Sequence, residues 1–163
     1  MANAAAGEAC DDGASAQYCS ADCRAFVCPA DCSCLDATGK TFALCPTPAT
    51  FRDAGIKCGF AGMTLATVEG TSADQALRNT ANSASIGEYW IGVFDLDQPD
   101  HWLRSDLSPA WDGTATGTAH GYTNFASGAP SGTNARDCAA VRSDGRWIDR
   151  DCAETKAYVC ERL

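Results

Sequence analysis

Long apolar runs are missing from this 163-residue chain. No stretch of 18 apolar residues occurs, so no helix of it is expected to insert in a membrane. Positive charge is scarce as well. Twelve Lys and Arg stand against 21 Asp and Glu, a formal net charge of −9. Nucleic acid and anionic membranes need a basic face, so neither is expected as a partner, and the acidic surface reads as solvated. No Asn-x-Ser/Thr sequon occurs, nor Gly-x-Ser-x-Gly, nor His-Glu-x-x-His. N-glycosylation and enzymatic activity are therefore not expected. Met1 is followed by Ala-Asn-Ala-Ala-Ala-Gly, without the basic region or apolar stretch of a secretory signal. The expectation is a mature chain with an added start Met.

Cysteine, by contrast, is abundant. Eleven in so short a chain point to an oxidising compartment, hence a secreted, extracellular protein. Zinc is the competing use of cysteine. The N-terminal series Cys10, Cys19, Cys23, Cys28, Cys32 and Cys34 has no Cys-x2-Cys pair, and His101 and His120 lie far from it. Structural zinc prefers tighter pairs, so disulfides are the reading. Eleven is odd. At least one cysteine therefore lacks an intrachain partner, which leaves a free thiol, a shortened chain or a covalent oligomer through an N-terminal Cys. Hydrophobic residues make up 45%, enough for a packed core. Residues 1–33 are Cys-dense with few large apolar side chains, an extension that cross-links must hold. Residues 34–163 suffice for one ordinary domain.

The pattern along residues 34–163 mixes both periods. Cys34 and Cys45 flank a Thr38-Gly39 turn. Thr47 as N-cap and Pro48 at the first helical position open a helix whose inner face is Phe51, Ala54 and Cys58. Gly59 and Gly62 end it. Residues 64–68 read as a short strand. Ser72 with Gln75 forms a capping box for a second helix, with Ala73, Ala76, Leu77 and Thr80 inward. Residues 89–93 form a strand with Trp90 on one face and Ile91 and Val93 on the other. Residues 95–137 are rich in Gly, Ser, Thr, Asp and Pro, and so long a loop in a compact domain signals function. Asp95-x-Asp97-x-x-Asp100-His101 reads as acidic turn residues rather than a metal cluster. A turn at Ser143-Asp144-Gly145 makes a hairpin, and residues 157–160 a last strand.

Five motifs in order resemble the C-type lectin-like domain. Tyr89-Trp90-Ile91-Gly92-Val93 is similar to the family's Trp-Ile-Gly-Leu strand. Trp102-Leu103-Arg104-Ser105-Asp106 resembles its Trp-Ser-Asp-Gly element, and Tyr122-Thr123-Asn124-Phe125 its Tyr-x-Asn-Trp. Trp147-Ile148-Asp149 resembles Trp-Asn-Asp, and Tyr158-Val159-Cys160-Glu161 matches the closing Tyr-x-Cys-Glu. The resemblance implies an α+β fold of two helices, small antiparallel sheets and a long ligand-binding loop, stabilised by disulfides. It implies the pairs Cys58–Cys160 and Cys138–Cys152. It also implies Cys34–Cys45, closing the extra hairpin of the family's long form. The pairing of Cys10, Cys19, Cys23, Cys28 and Cys32 stays open.

In sugar-binding members of the family, Ca2+ is held by oxygens of the long loop and the Trp-Asn-Asp strand. Such an ion takes six to eight oxygen ligands. The equivalent loop motif here is Ala129-Pro130-Ser131. The family's cis proline is kept, as Pro130. Ala129 has no side-chain oxygen, Arg136 replaces an acid and Ile148 replaces the Asn. Asp137 and Asp149 remain as weak Ca2+ candidates, so no cofactor is expected. Arg136 is expected to fill the vacated position and pair with Asp149, because a buried carboxylate without a cation is costly.

The implied function is non-catalytic recognition of a glycan or protein ligand without Ca2+. Candidate contacts are Trp111, Tyr122, Asn134, Arg136, Arg146 and Asp149: aromatics for stacking, Arg and Asn for hydrogen bonds. Two alternatives are weighed. One is a disulfide-linked structural protein. The other is an ice- or surface-binding protein, from the Thr- and Ala-rich run at 113–133.

Overall fold

The computed structural model describes residues 26–162, apart from Asp97 and Asn134. The chain begins with a hairpin, β1 (Ser33–Ala37) and β2 (Lys40–Ala49), turning at Thr38 and Gly39, both at positive φ. The expected Cys34–Cys45 bond is not formed. Cys32 bonds Cys45 and Cys28 bonds Cys34. The register explains the exchange. Ser33 faces Leu44 and Cys34 faces Ala43, so the same register carried back one residue brings Cys32 opposite Cys45. Their Cα atoms are 4.2 Å apart.

Helix α1 (Phe51–Phe60) follows, and Thr50 caps it by accepting from the Asp53 amide at 3.2 Å. Thr47 and Pro48 were expected there. Instead β2 runs on through Pro48 to Ala49, which faces Lys156 of the last strand. Proline is tolerated in β2 because Pro46 to Pro48 stand exposed outside the ladder. Phe51, Ala54 and Cys58 are buried as the spacing predicts, and Gly62 at positive φ follows the helix end. Strand β3 is shorter than expected, Thr64–Leu65 only. Helix α2 spans Thr71–Ser83. Its N-cap is Gly70 with no side-chain bond, so the Ser72–Gln75 box is not used. Its buried residues are Ala73, Asp74, Leu77 and Ala81, while Ala76 and Thr80 are half-buried.

Strand β4 (Glu88–Phe94) lies at the centre, with β8 (Cys138–Arg142) along one edge and, on the other, β10 (Lys156–Arg162) at its start and β5 (His101–Arg104) at its end. Strands β6 (Pro109–Asp112) and β7 (Thr118–Ala119) extend from β5, so residues 95–137 hold more regular structure than their composition suggests. Strand β9 (Trp147–Arg150) pairs with β8 across the expected Gly145 turn. Among the described residues the strands form one hydrogen-bonded network, and β4–β10 is its one parallel pair.

The alternation in β4 divides the core as expected. Tyr89, Ile91 and Val93 join Phe42, Leu77, Trp102 and Trp147 under α2. Trp90 joins Phe51, Cys58, Ile148 and Cys160 under α1. The Trp90 indole donates to Ala49 O at 3.0 Å, fixing the end of β2. Gly92 admits no side chain: a Cβ there would meet Ser105 Oγ at 2.0 Å and Leu65 O at 2.5 Å.

The Cys58–Cys160 and Cys138–Cys152 bonds form as expected. The first spans 102 residues, a closure that in the chain-entropy model contributes about 4 to 5 kcal/mol. Replacing Cys58 and Cys160 together by Ser should lower unfolding free energy by that order in urea, while the matching change at 138 and 152 costs less. A second expectation concerns acid. Burial pushes the Glu88 carboxyl up, but bonds from Arg150 at 2.7 Å and Lys156 at 2.8 Å outweigh it and hold the group below the usual carboxylate range. A lowered folded pKa means stability that is present above the unfolded value and lost as pH falls through the folded one. Glu88→Gln should therefore flatten the loss of stability below about pH 4, read by melting temperature against pH.

Candidate functional site

The long loop meets β9 at Ala129-Pro130, a cis peptide as expected. Ala129, Pro130 and Ile148 are buried there, and Asp149 beside them is only 4% exposed. The Ser131 hydroxyl donates to Asp149 Oδ2 in a short contact, and Ser131 Oγ lies 3.1 Å from Thr133 Oγ1. The expected Arg136–Asp149 pair is absent from the described residues. A neighbouring hydroxyl satisfies the carboxylate without taking a guanidinium out of water, which is the less costly solution. The Arg136 amide donates to Thr133 O at 2.8 Å, and its side chain is exposed.

Arg136 instead lines a pocket of about 180 Å³ with Asp95, Asp100, Trp102, Thr133 and Asp137. Asp95 closes the floor, accepting the Asp100 amide at 2.7 Å and the His101 amide at 3.4 Å. It is thus a turn acceptor, as the acidic-turn reading expects, and Asp97 lies outside the described residues. Burial raises the Asp95 carboxyl above its ordinary range despite those bonds. Burial raises Asp137 too, followed by the charges of Asp95 and Asp151. Among the described residues no three His, Cys, Asp or Glu side chains are grouped to hold a metal ion. The pocket therefore offers carboxylates that accept from hydroxyls and a guanidinium that donates.

A second set of bonds fixes the loop to α2. Tyr122 OH and Asn124 Nδ2 both donate to Asp74 Oδ2 at 2.8 Å. Asn124 Nδ2 also reaches Gly145 O at 2.8 Å, and Arg146 Nη1 donates to Asn124 Oδ1 at 2.7 Å. Burial and then the bond to Asp74 push the Tyr122 hydroxyl up to about 12, so it stays a donor at neutral pH. Phe125 packs edge-on against Trp102, Trp111 and Trp147, each at 5.6 Å. On the outer sheet, Asp112 bridges two imidazoles, His101 Nδ1 in a short contact and His120 Nε2 at 2.6 Å.

The six candidate contacts thus separate. Arg136 stands at the pocket. Arg146 is exposed but belongs with Asn124 and Tyr122. Tyr122 has its hydroxyl engaged by Asp74, and Trp111 donates its indole N–H to Thr114 O at 3.0 Å. Asp149 is buried and bonded to Ser131. Asn134 lies outside the described residues. Asp74, Asn124 and Ser131 were not among the candidates. For Asp74 a signal existed: it follows Ala73 and precedes Leu77 by three, inside the apolar stripe of its helix.

The loop bonds to Asp74 give a direct expectation. A hydrogen bond to a charged group contributes about 1.5 to 3 kcal/mol. Tyr122→Phe should lose an amount of that order in urea unfolding of the native sequence and much less in Asp74→Ala, a coupled double-mutant cycle. Additive losses would contradict the bond.

The family model described as the lectin C-type domain matches residues 47–162. Collectin-11 of Danio rerio is 25% identical over 127 residues, covering 77% of this chain and 44% of that protein. Tetranectin of Mus musculus is 28% identical over 124 residues, covering 70% and 55%. The chain thus spans only about half of such relatives. The carbohydrate-recognition domain of the mouse scavenger receptor C-type lectin superposes with a TM-score of 0.68 at 24% identity, covering 83% of this chain and 95% of that one. A calcium-independent type II antifreeze protein superposes at 0.67 and 22% identity, covering 86% and 97%. Two helices on a sheet, the cis Pro130 turn, and the Cys58–Cys160 and Cys138–Cys152 bonds agree with that match. This chain belongs to the C-type lectin domain family.

Proposed function

We propose that the chain is a secreted, non-catalytic recognition module that binds a glycan without Ca2+, at the pocket between residues 95–102 and 132–137. The observation that carries the reading is the exposed Arg136 opposite the carboxylates of Asp95, Asp100 and Asp137. A sugar offers adjacent hydroxyls that donate to carboxylates and accept from a guanidinium at once. Its apolar ring face fits beside the exposed Leu96. Metal-free binding follows from the chemistry of the loop: Ala129 and Ile148 bring no side-chain oxygen, and the Asp149 carboxylate is occupied by Ser131. An ion needing six to eight oxygens finds too few. Among the described residues no helix is long and apolar enough to cross a membrane. The matching domain of the mouse scavenger receptor C-type lectin, a carbohydrate-recognition domain by name, supports the ligand class.

A glycan array run with Ca2+ and with chelator tests this. The expected result is a set of bound glycans that chelator leaves unchanged and that Arg136→Ala weakens by about tenfold, the loss of one charge-assisted contact. Binding that requires Ca2+ would overturn the metal-free part. An array without hits, with capture of a protein ligand that Arg136→Ala abolishes, would place a protein in the same pocket. Thermal hysteresis carried by the exposed Thr114, Thr116 and Thr118 would favour surface binding instead.

A further inference from the structure

The outward side of α1 carries an apolar surface that the recognition site does not use. Ile56 is 47% exposed and Phe60 is 89% exposed, one helical turn apart. They border a groove of about 350 Å³ with Pro48, Ala49, Asp53 and Lys57. Asp53, Ile56, Lys57 and Phe60 fall at i, i+3, i+4 and i+7, so they form one stripe along the helix. Acid and base stand on either side of Ile56 in that stripe.

We infer that this stripe is an interface for a second copy of the same chain, with the two α1 helices antiparallel about a two-fold axis. A surface that pairs with itself must be self-complementary. Here an axis passing beside Ile56, level with Gly55, sets Asp53 of each copy against Lys57 of the other, closes Ile56 of both copies between the two ion pairs, and lays each Phe60 beyond them against the start of the partner's α1. The one helix thus supplies both signs and the apolar centre that a two-fold contact needs.

The other occupant to weigh is the chain's own first 25 residues. Arg162 lies over the Phe26 ring at 5.2 Å, and two residues before it Cys160 bonds Cys58 of α1. Residues 1–25, however, hold Met1 and Tyr18 as their only large apolar side chains, which is too little to cover Ile56 and Phe60. The cysteine count points to a second copy as well. Among the described residues four disulfides use eight of the eleven cysteines; Cys10, Cys19 and Cys23 remain, an odd number within residues 1–25.

Sedimentation velocity over a concentration series tests the interface. The protein used is the full chain with Cys10, Cys19 and Cys23 replaced by Ser, which removes covalent linkage and keeps the eight paired cysteines. The expected result is a concentration-dependent monomer–dimer equilibrium. Phe60→Ser and Lys57→Asp should each weaken it by about tenfold or more. The swap Asp53→Lys with Lys57→Asp in one chain should restore it, because the ion pairs re-form with signs exchanged. Mixing the Asp53→Lys and Lys57→Asp single variants should give a heterodimer stronger than either variant alone. Both positions are exposed, so the variants should fold, and circular dichroism checks that they do. Monomers at every concentration overturn the inference. So does a dimer indifferent to Phe60→Ser and Lys57→Asp. Monomers that melt earlier on Phe60→Ser would give the face to residues 1–25 and overturn it too.

Discussion

The fold depends on where its last strand goes. Strand β10 lies antiparallel to β2 and β3 and parallel to β4, so three earlier elements use it as their neighbour. Cys160 within it bonds Cys58 of α1, which ties the last strand to the first helix. Glu161, one residue on, is buried and bonded by Thr67 and Lys40. A chain that must bring its end back across 102 residues meets a large entropy cost, and the disulfide removes part of that cost from the unfolded state. The frame that results carries residues 95–137 as short strands joined by irregular loop.

How that loop is held decides what kind of recognition module this is. In the metal-dependent arrangement a cation gathers loop carboxylates. On the metal-free reading proposed above, hydrogen bonds within the chain take that part. Ser131 engages Asp149 at one end of the loop, and Asp74 engages Tyr122 and Asn124 at the other. The aromatic group of Trp102, Trp111, Phe125 and Trp147 packs between them. Both carboxylates are buried, so each hydrogen bond satisfies a group that would otherwise be costly to leave alone.

Much of this was legible in the chain. The period-two pattern of 89–93 gave β4 its two buried faces, and the spacing of Phe51, Ala54 and Cys58 gave α1 its inner side. The family motifs carried the two long-range disulfides. What failed were features fixed by register or by packing across the fold. Cys34 and Cys45 look like a pair around one turn, yet β1–β2 register assigns Cys45 to Cys32. Thr47-Pro48 looks like a helix start, but the pull of β10 keeps β2 extended until Thr50. Asp74 was not singled out although it stands inside the apolar stripe of its helix, and the loop above it makes it a buried acceptor. Arg136 is expected beside Asp149 from its place in the family's metal-ligand pattern and from its charge. A hydroxyl two residues past Ala129 satisfies that carboxylate instead and leaves the guanidinium exposed.

The central claim is that contacts within the chain, without a metal ion, order the ligand-binding loop. Hydrogen exchange of the backbone amides in residues 120–137, compared in excess Ca2+ and in chelator, addresses it most directly. The account predicts the same protection in both solutions, with the amides of Ala126, Ala129 and Arg136 slow in each, since each donates to a backbone carbonyl. Protection that appears only when Ca2+ is present would contradict it.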